Sequence, residues 1–496
     1  MFKPHLTLTG ALALAVLGGC ALSPDYQRPE APVAANYAIA DTTASATPAA
    51  ALEWQSFFTD PALRRLIELA LANNRDLRVA VLNIEQASAQ YQVRRADQFP
   101  TLNLGASGSR APVASRSNGN GSGTTAGGSF ETYNVGLVSS AYELDFFGRV
   151  ASLKDAALAQ YLATEESRKT AQISLIAAVA TTYLNVLGGE AQIDVVKQTL
   201  GTREESQRLT KLRFDNGASS ELDFRQAQSL TEAARVTLAQ LKRQRVLDEN
   251  ALTLLVGQPL PADWLASLVT TPAAQTLEQT VLMAELPAGL PSDLLTQRPD
   301  IRAAEQQLLA TNANIGAARA AFFPRISLTG GYGSTSSELS GLFKAGTYGW
   351  SFAPQITLPI FDAGRNQANL EVARANKEIA VAQYEKAIQT AFREVADALG
   401  GRATLAEQFS AQQAQAEAEA ARFKLSDLRY RNGIASFLDA LDAQRSLFSV
   451  RLGVLQTRLL QLQSQVALYK SLGGGWREPV AVSAADAAPG SQPAAQ

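Results

Sequence analysis

The chain has 496 residues but only one histidine and one cysteine, and both lie within the first twenty positions, as His5 and Cys20. The rest of the sequence therefore cannot form a histidine-dependent catalytic triad, a disulfide or a zinc site with nitrogen and sulfur ligands. It also lacks a phosphate-binding loop, a dinucleotide fingerprint and a G-x-S-x-G motif. We therefore predict a protein that is not an enzyme and that needs no cofactor.

The sequence also lacks an excess of basic residues and a long apolar run, and each absence excludes a class of protein. The 44 basic and 46 acidic residues give a formal net charge of -2, without the basic surplus that an electrostatic nucleic-acid binder needs. After the N-terminal segment there is no run of 18 apolar residues, because polar side chains interrupt even the most apolar stretch, residues 171–187. The sequence thus predicts no nucleic-acid partner and no membrane-spanning helix.

The N-terminus has the pattern of a bacterial export signal. Lys3 precedes an apolar run at residues 11–17, which is too short to span a bilayer, and Leu17-Gly18-Gly19-Cys20 follows. This ending resembles a lipobox, which implies cleavage before Cys20 and acylation of that residue. The alternative is an ordinary signal peptide with a chance cysteine. Ala21 follows instead of aspartate, which by the lipoprotein sorting rule implies the outer membrane of a Gram-negative cell.

The second half of the chain repeats the first. Residues 99–104, FPTLNL, match 323–328, FPRISL, at an offset of 224. Residues 212–223, LRFDNGASSELD, match 428–439, LRYRNGIASFLD, at an offset of 216. The offset decreases from 224 to 216 between the two strands of each half, because the first half has a longer loop at residues 110–129. Each half is therefore predicted to contain a helix, two strands, a very long helix, a tight turn and a further helix.

The predicted strands raise the question of membrane insertion. Residues 350–360 alternate between apolar and polar side chains, over about the length of a transmembrane β-strand. Taken alone, such a strand is more often a half-buried strand of a soluble protein. Four strands cannot close a membrane barrel, whose smallest known examples have about eight. Because an open edge is not tolerated in lipid, strands that span a membrane would require several copies of the chain.

The predicted helices are long and carry coiled-coil patterns. Residues 147–215 form one helical stretch interrupted only at Gly188-Gly189, and ~68 helical residues would extend ~100 Å. Apolar residues spaced alternately by four and three mark two seams. These are Phe448, Leu452, Leu455, Leu459, Leu462, Val466 and Tyr469, and Ile388, Phe392, Val395 and Leu399. The helices alone would also fit a soluble coiled-coil protein.

Several long motifs resemble one family across nearly the whole mature chain. They are residues 24–29, PDYQRP; 73–78, NNRDLR; 142–149, YELDFFGR; 289–295, GLPSDLL; 298–301, RPDI; and 473–476, GGGW. The chain resembles the TolC-like outer membrane factors, in the lipoprotein branch typified by OprM. The resemblance implies a homotrimer with a twelve-stranded β-barrel in the outer membrane and an α-helical barrel of ~100 Å in the periplasm.

The resemblance also implies a function and partners. Members of the family form the passive exit duct of a tripartite RND-type efflux pump, together with an inner-membrane RND transporter and a periplasmic adaptor (membrane fusion protein). Exported drugs or other small toxic compounds would be selected by the cognate pump. Two alternatives remain: a type I protein-secretion duct of the same fold, and a non-pore structural coiled-coil outer-membrane lipoprotein. The lipobox and the motifs favour small-molecule export.

The expected organisation follows from the repeat and the resemblance. It comprises a signal peptide, 1–19; a lipidated extended arm, 20–60; a first repeat, 61–256; an equatorial linker, 257–297; a second repeat, 298–471; and a C-terminal equatorial segment and tail, 472–496. Within the repeats we expect hairpins at 100–145 and 324–361. We expect long helices at 147–215 and 363–431, and the helices that follow them at 221–256 and 435–471.

The resemblance places a gate at the periplasmic tip, where the turns Asn216-Gly217 and Asn432-Gly433 lie. The family's aspartate constriction falls on Asp439 and Asp442, which are three apart and so share one helix face. Threefold symmetry would gather six carboxylates, whose crowding raises pKa values and attracts cations. The alternative is a pair of solvated surface acids. The first repeat carries only Asp223 in the equivalent segment.

Tyr430 and the Leu-Arg-Phe/Tyr segments before the two turns resemble tip-bracing and adaptor-docking positions. A simpler interpretation is that each segment is a helix C-terminus capped by glycine, which both turns also satisfy. The two interpretations are compatible. No metal site is expected apart from the cations that crowded carboxylates would attract.

Overall fold

The computed structural model describes residues 22–34, 37, 52–112, 129–270, 277 and 291–476. The signal peptide, Cys20, most of the loop predicted between the first two strands, part of the linker and the tail after Trp476 lie outside the described residues. The chain divides into two compact units, each built from separated segments. The first contains residues 1–30, 83–165 and 303–385, and the second contains residues 31–82, 166–302 and 386–496. Neither unit coincides with one sequence repeat.

The first unit contains a four-stranded antiparallel sheet. Its strands are β1 (Asn103–Pro112), β2 (Ser129–Leu144), β3 (Arg325–Ser336) and β4 (Tyr348–Thr357), and they lie side by side in the order β1-β2-β3-β4. β1 and β4 are therefore the two edge strands within the described part of the chain. Their outer N–H and C=O groups are available to another strand.

One face of this sheet is apolar. Leu104, Leu137, Tyr332 and Trp350 are aligned directly across the four strands, and all four side chains are exposed. The residues next to them along each strand point to the opposite face, which is rich in serine, threonine, asparagine and glycine. Such alternation is the pattern of a strand with one face toward lipid and one toward water.

The strand ends differ from the predicted hairpins. β4 ends at Thr357, before the predicted limit of 361, because its partner β3 begins only at Arg325, which pairs with Thr357. Pro359 lacks an N–H and could not extend the ladder. β1 continues to Pro112, past the predicted loop start at 110. Its last residue, Pro112, pairs with Ser129, the first residue of β2.

The N-terminal arm is fixed to the first unit. Helix α8 (Pro299–Ala320) carries Arg319, whose Nη1 donates to the main-chain oxygen of Leu22 at 3.0 Å. Arg28 donates two hydrogen bonds to the Glu305 carboxylate, at 2.7 and 2.8 Å, and the Tyr26 hydroxyl donates a third at 3.0 Å. Burial, followed by the charge of Glu305, raises the pKa of Tyr26 above its usual range.

The rest of the predicted arm is not all extended. A short helix, α1 (Trp54–Phe57), buries both of its terminal aromatic side chains. The Phe57 ring stacks on Tyr469 with centroids 4.2 Å apart. Burial of the Trp54 and Phe57 rings favours this short helix over the extended chain that the prolines predicted.

The helix predicted after residue 61 is two helices, α2 (Pro61–Asn73) and α3 (Arg75–Ala96). Asn74 between them is extended, with φ −62° and ψ 132°. Its side-chain amide donates to the Leu255 oxygen at 2.9 Å, and its side-chain oxygen accepts from Leu77 N at 2.9 Å. The asparagine thus ends one helix and starts the next, and the apolar periodicity does not reveal this break.

Four helices carry the repeat. α4 (Arg149–Asp215) and α9 (Arg365–Arg431) have 67 residues each, and α5 (Glu221–Val256) and α10 (Phe437–Ser471) follow them. The starts of all four helices obey the offset of 216, so the predicted internal repeat is confirmed. The long helices begin two residues later than expected, because Gly148 and Gly364 have φ of 69° and 84°, a conformation outside the right-handed helix.

The expected interruption at Gly188-Gly189 is wrong, because α4 continues through both residues. A Cβ on Gly188 would lie 3.0 Å from a Leu459 methyl of α10, so the glycine allows close helix packing. One window of α4 is apolar enough to cross a membrane by length and composition, but 61% of it is buried inside the chain. That degree of burial is typical of a core helix.

Buried polar contacts connect the helices of the second unit. Arg298, at the start of the RPDI motif, is buried and donates to Asp300, Glu394 and the Ser471 main-chain oxygen at 2.6 to 3.0 Å. Two shorter helices, α6 (Ala262–Thr270) and α7 (Pro291–Gln297), interrupt the linker. The Lys169 ammonium lies 4.8 Å from the Trp476 ring centroid, which positions the last described residue.

Candidate functional site

Two nearly identical turns lie at the ends of α4 and α9. Gly217 and Gly433 each have φ 70°, and a left-handed residue at this position is what a glycine helix cap provides. Ala218 N donates to Arg213 O at 2.7 Å, and Ile434 N donates to Arg429 O at 2.9 Å. These bonds satisfy carbonyls that the helix end would leave unpaired.

The asparagines before the two glycines complete the turns. Asn216 and Asn432 each donate from their side-chain amides to a carbonyl four residues earlier, Leu212 O and Leu428 O, at 2.7 Å in both cases. Both predicted turns therefore exist as glycine-capped helix ends. All four predicted turn residues are exposed, as a docking surface would also require.

Asp439, one of the two predicted gate residues, caps its own helix. Its Oδ2 accepts from Ser436 N at 3.2 Å and from Ser436 Oγ at 2.8 Å, and Asp439 N donates back to Ser436 Oγ at 3.2 Å. Ser220 and Asp223 form the same capping box in the first repeat. Sequence reasoning missed this role, although serine followed three residues later by an acidic residue is a known helix-start signal.

Asp442, the other predicted gate residue, forms an ion pair between helices. Arg422 Nη2 of α9 lies 2.5 Å from Asp442 Oδ2 of α10, and Arg422 also contacts Glu419 at 3.2 Å. The hydrogen bond to Asp442 is the main cause of a raised pKa of the Arg422 guanidinium. No local signal predicted this partner, because it lies 20 residues away in the sequence.

The Arg422–Asp442 pair belongs to one repeat only. At the offset of 216, Gln226 corresponds to Asp442 and Ser206 corresponds to Arg422. Asp439 and Asp442 are both exposed, three residues apart on α10. Asp427, before the turn, instead pairs with Arg431 at 2.8 Å. The structure therefore places the two predicted aspartates on the exposed side of one helix and gives them different partners.

Tyr430 lies where the two helical hairpins meet. Arg213 Nη1, from the end of α4, donates to the Tyr430 hydroxyl at 2.8 Å. The Tyr430 ring lies 5.2 Å from the Phe437 ring, and it packs against the buried cluster of Ala227, Phe437 and Leu441. The residue thus connects the end of the first long helix to the beginning of α10.

A second contact between the hairpins was not predicted. Arg203 of α4 is buried and its guanidinium lies 4.7 Å from the Phe448 ring of α10. Its Nη1 donates to Leu230 O at 2.9 Å. Burial, and then the charge of Arg445, lower the pKa of this guanidinium. Arg203 lies in a polar stretch of α4, so the sequence did not indicate that its side chain is buried.

Comparison with known proteins assigns the chain to a family. The sequence matches the family described as outer membrane efflux protein over residues 66–258 and 290–474. The chain belongs to the outer membrane efflux protein family. The predicted TolC-like membership, mixed barrel fold class, outer-membrane location and efflux role are thereby confirmed at the level of the family.

Individual relatives of this outer membrane efflux protein cover almost its whole length. The toluene efflux pump outer membrane protein TtgC of Pseudomonas putida is 48% identical over 96% of this chain and 97% of its own. The antibiotic efflux pump outer membrane protein ArpC of Pseudomonas putida has the same identity and coverage. The solved open state of the Neisseria gonorrhoeae MtrE outer membrane channel is 42% identical, with a TM-score of 0.82, and the match covers 92% of this chain and 99% of that one.

Proposed function

We propose that the chain forms, as a homotrimer, the passive exit duct of a tripartite RND-type pump that exports drugs or other small toxic compounds. The observation that carries the proposal is the four-stranded sheet with two open edges and an exposed apolar face. In lipid, such edges must be paired. Three copies joined β4 to β1 would supply twelve strands and a closed barrel.

The proposed partners are a periplasmic adaptor and an inner-membrane RND transporter. The turn regions offer a repeated surface for the adaptor, because exposed leucines flank both turns at the same offset. They are Leu212 and Leu222 in the first repeat, and Leu428 and Leu438 in the second. Three chains with two such turns each would present six similar docking positions, with Asn216-Gly217 and Asn432-Gly433 at their centres.

Substrate choice is assigned to the transporter. The two Pseudomonas putida relatives are equally identical to this chain, yet one is named for toluene and the other for antibiotics. We therefore propose that the transporter, and not the duct, selects the exported compound. The duct itself needs no catalytic group, and we propose that it is not an enzyme.

Removing the chain from its cell tests this function against protein secretion. A deletion strain should accumulate a lipophilic cationic dye and become more sensitive to pump substrates, and the intact gene should reverse both effects. The set of proteins in the culture medium should stay the same. Loss of a secreted protein with unchanged dye efflux would instead favour the type I secretion alternative.

The gate is proposed to involve the Arg422–Asp442 pair. In each chain the pair joins α9 to α10 close to the turns, and Asp439 and Asp442 expose carboxylates on the same helix. Threefold symmetry would bring these carboxylates together around the axis and attract cations there. Arg213 of the first hairpin would brace the closed arrangement through its hydrogen bond to Tyr430 of the second.

Lipidation is proposed at Cys20. This residue comes two positions before Leu22, whose main-chain oxygen accepts a hydrogen bond from Arg319 of α8. Changing Cys20→Ser should abolish labelling by a clickable palmitate analogue, because no other cysteine exists. A variant that is still cleaved should reach the outer membrane as a trimer, since the strands also hold the protein there. Labelling that persists in Cys20→Ser would contradict the assignment, and a water-soluble monomeric mature protein would contradict the barrel.

A further inference from the structure

Four glycines form a straight row across the sheet. Gly105 of β1 pairs with Gly136 of β2, Gly136 pairs with Gly333 of β3, and Gly333 pairs with Gly349 of β4. The sequence repeat does not account for the row. Residues equivalent to Gly105 and Gly136 in the second half are Thr329 and Phe352. The glycines are aligned only by the register of the strands.

The row lies on the polar face of the sheet. The neighbouring row on this face contains Ser107, Asn134 and Thr335, and the Thr335 hydroxyl donates to Asn134 Oδ1 at 2.8 Å. The apolar row containing Leu104 and Trp350 lies on the other face, because side chains alternate along a strand. If the sheet closes into a membrane barrel, as proposed above, the glycines face the lumen.

The two inner glycines mark a close approach of β2 and β3. A Cβ on Gly136 would lie 2.6 Å from the Gly333 Cα, and a Cβ on Gly333 would lie 2.6 Å from the Gly136 Cα. In an ordinary antiparallel pair, opposite Cβ atoms stand about 4.5–5.5 Å apart. The two main chains therefore approach each other too closely on the glycine face to leave room for a Cβ at either position. Any side chain here would collide with main chain.

The two outer glycines have free space instead. Among the described residues, and apart from each glycine and its two chain neighbours, no atom lies within 4 Å of a Cβ built on Gly105 or Gly349. Within one chain, a side chain at either position is therefore sterically allowed and would project from the polar face. The fold of one chain therefore does not require glycine at Gly105 or Gly349. Steric exclusion explains the inner glycines but not these two.

We propose that the glycine row shapes the exit pore in two ways. Gly136 and Gly333 form a crease that lets the sheet curl around the lumen. Gly105 and Gly349 keep side chains out of the lumen and so determine the size of solute that the barrel admits. Each chain of the proposed trimer would contribute one such row. This inference rests on the proposed duct and adds its size-determining residues.

Neighbouring cysteines on opposite faces test where the row points. In proteoliposomes of the Cys20→Ser variant, Gly349→Cys should react with a charged methanethiosulfonate about tenfold faster than Trp350→Cys, whose thiol would lie in lipid with its thiolate disfavoured. Faster reaction of Trp350→Cys would overturn the inference while leaving a barrel. Equal, fast reaction at both positions would mean that both faces are in water, which would overturn the proposed duct as well.

The same cysteine tests the size limit. In cells, dye export through Gly349→Cys should fall several-fold after reaction with a bulky maleimide, relative to the same variant before labelling. Export through Trp350→Cys and through the parent without the new cysteine should not change after the same maleimide treatment. Unchanged export after complete labelling of Gly349→Cys would overturn the size-determining role, even if the residue faces water.

Matched valines test the crease. Valine suits β-strands in general, so Gly105→Val should still yield folded trimer, whereas Gly136→Val should lose it because its side chain meets the Gly333 main chain. Heat-resistant trimer on a gel gives the measurement for both variants. Equal trimer yields from the two variants would show that no crease restricts the inner position.

Discussion

Single-channel conductance in a planar bilayer should rise several-fold when Asp442→Ala is combined with Asp439→Asn. The first change removes the ion pair that joins α9 to α10, and the second removes a carboxylate while keeping an oxygen that can cap the helix. Each ion pair is exposed and weak on its own. A symmetric trimer would contain three copies of the Arg422–Asp442 ion pair, and the double variant would remove all three from the closed tip.

The same double variant should be less sensitive to divalent cations and should admit large antibiotics such as vancomycin into intact cells. Removing negative charge weakens cation binding at a constriction, and a wider tip opens a path that the closed duct denies. Arg422→Ala should reproduce the increased conductance but not the loss of cation block, because it breaks the pair and leaves the carboxylates.

Two controls match these changes. Asp223→Asn alters the equivalent capping box in the first repeat, and Asp427→Ala breaks an ion pair on the far side of the turn. Both should leave conductance near the wild-type value. Equal effects from either control, or no change in the double variant, would place the constriction elsewhere and return Asp439 and Asp442 to ordinary surface acids.

The parts of the fold that follow from local pattern were predictable from the sequence. The helical pattern of residues 147–215 predicted the first long helix, and the offset of 216 extended the prediction to the second. The asparagine-glycine pairs predicted the turns that join these helices to α5 and α10. Helix starts were less accurate, because a single left-handed glycine such as Gly148 or Gly364 shifts the boundary. The break at Asn74 depends on a contact with Leu255, far away in the sequence, and periodicity cannot show such a contact.

The candidate site shows the same division. The turns could be predicted from their asparagine-glycine pairs, whereas Asp439 and Asp442 were placed by the resemblance to the family, and their role in a gate stays a prediction. Arg422 could not, because a charged residue on a long polar helix has many possible partners until the neighbouring helix is placed. The glycine row is the clearest case: four glycines from both halves become one feature only after strand register is known. In contrast, the Ser436–Asp439 capping box was local and could have been recognised.

Assembly carries the largest expected effect of all, because the described sheet has four strands and a membrane barrel needs more. Unpaired edge groups on β1 and β4 would cost several kcal/mol each in lipid, so the single chain should not persist there. Exposed Leu104, Tyr332 and Trp350 would also be left in water in a soluble form. Both penalties disappear when β4 of one copy pairs with β1 of the next.

The most direct test is the mass of the protein purified from outer membranes in a mild detergent, measured by native mass spectrometry. We expect three copies of the chain, which supply twelve strands, and no stable smaller species. A dimer would leave an eight-stranded barrel possible but would contradict the proposed threefold duct and its gate. A stable monomer would contradict the central claim that this sheet is completed only by other copies of the same chain.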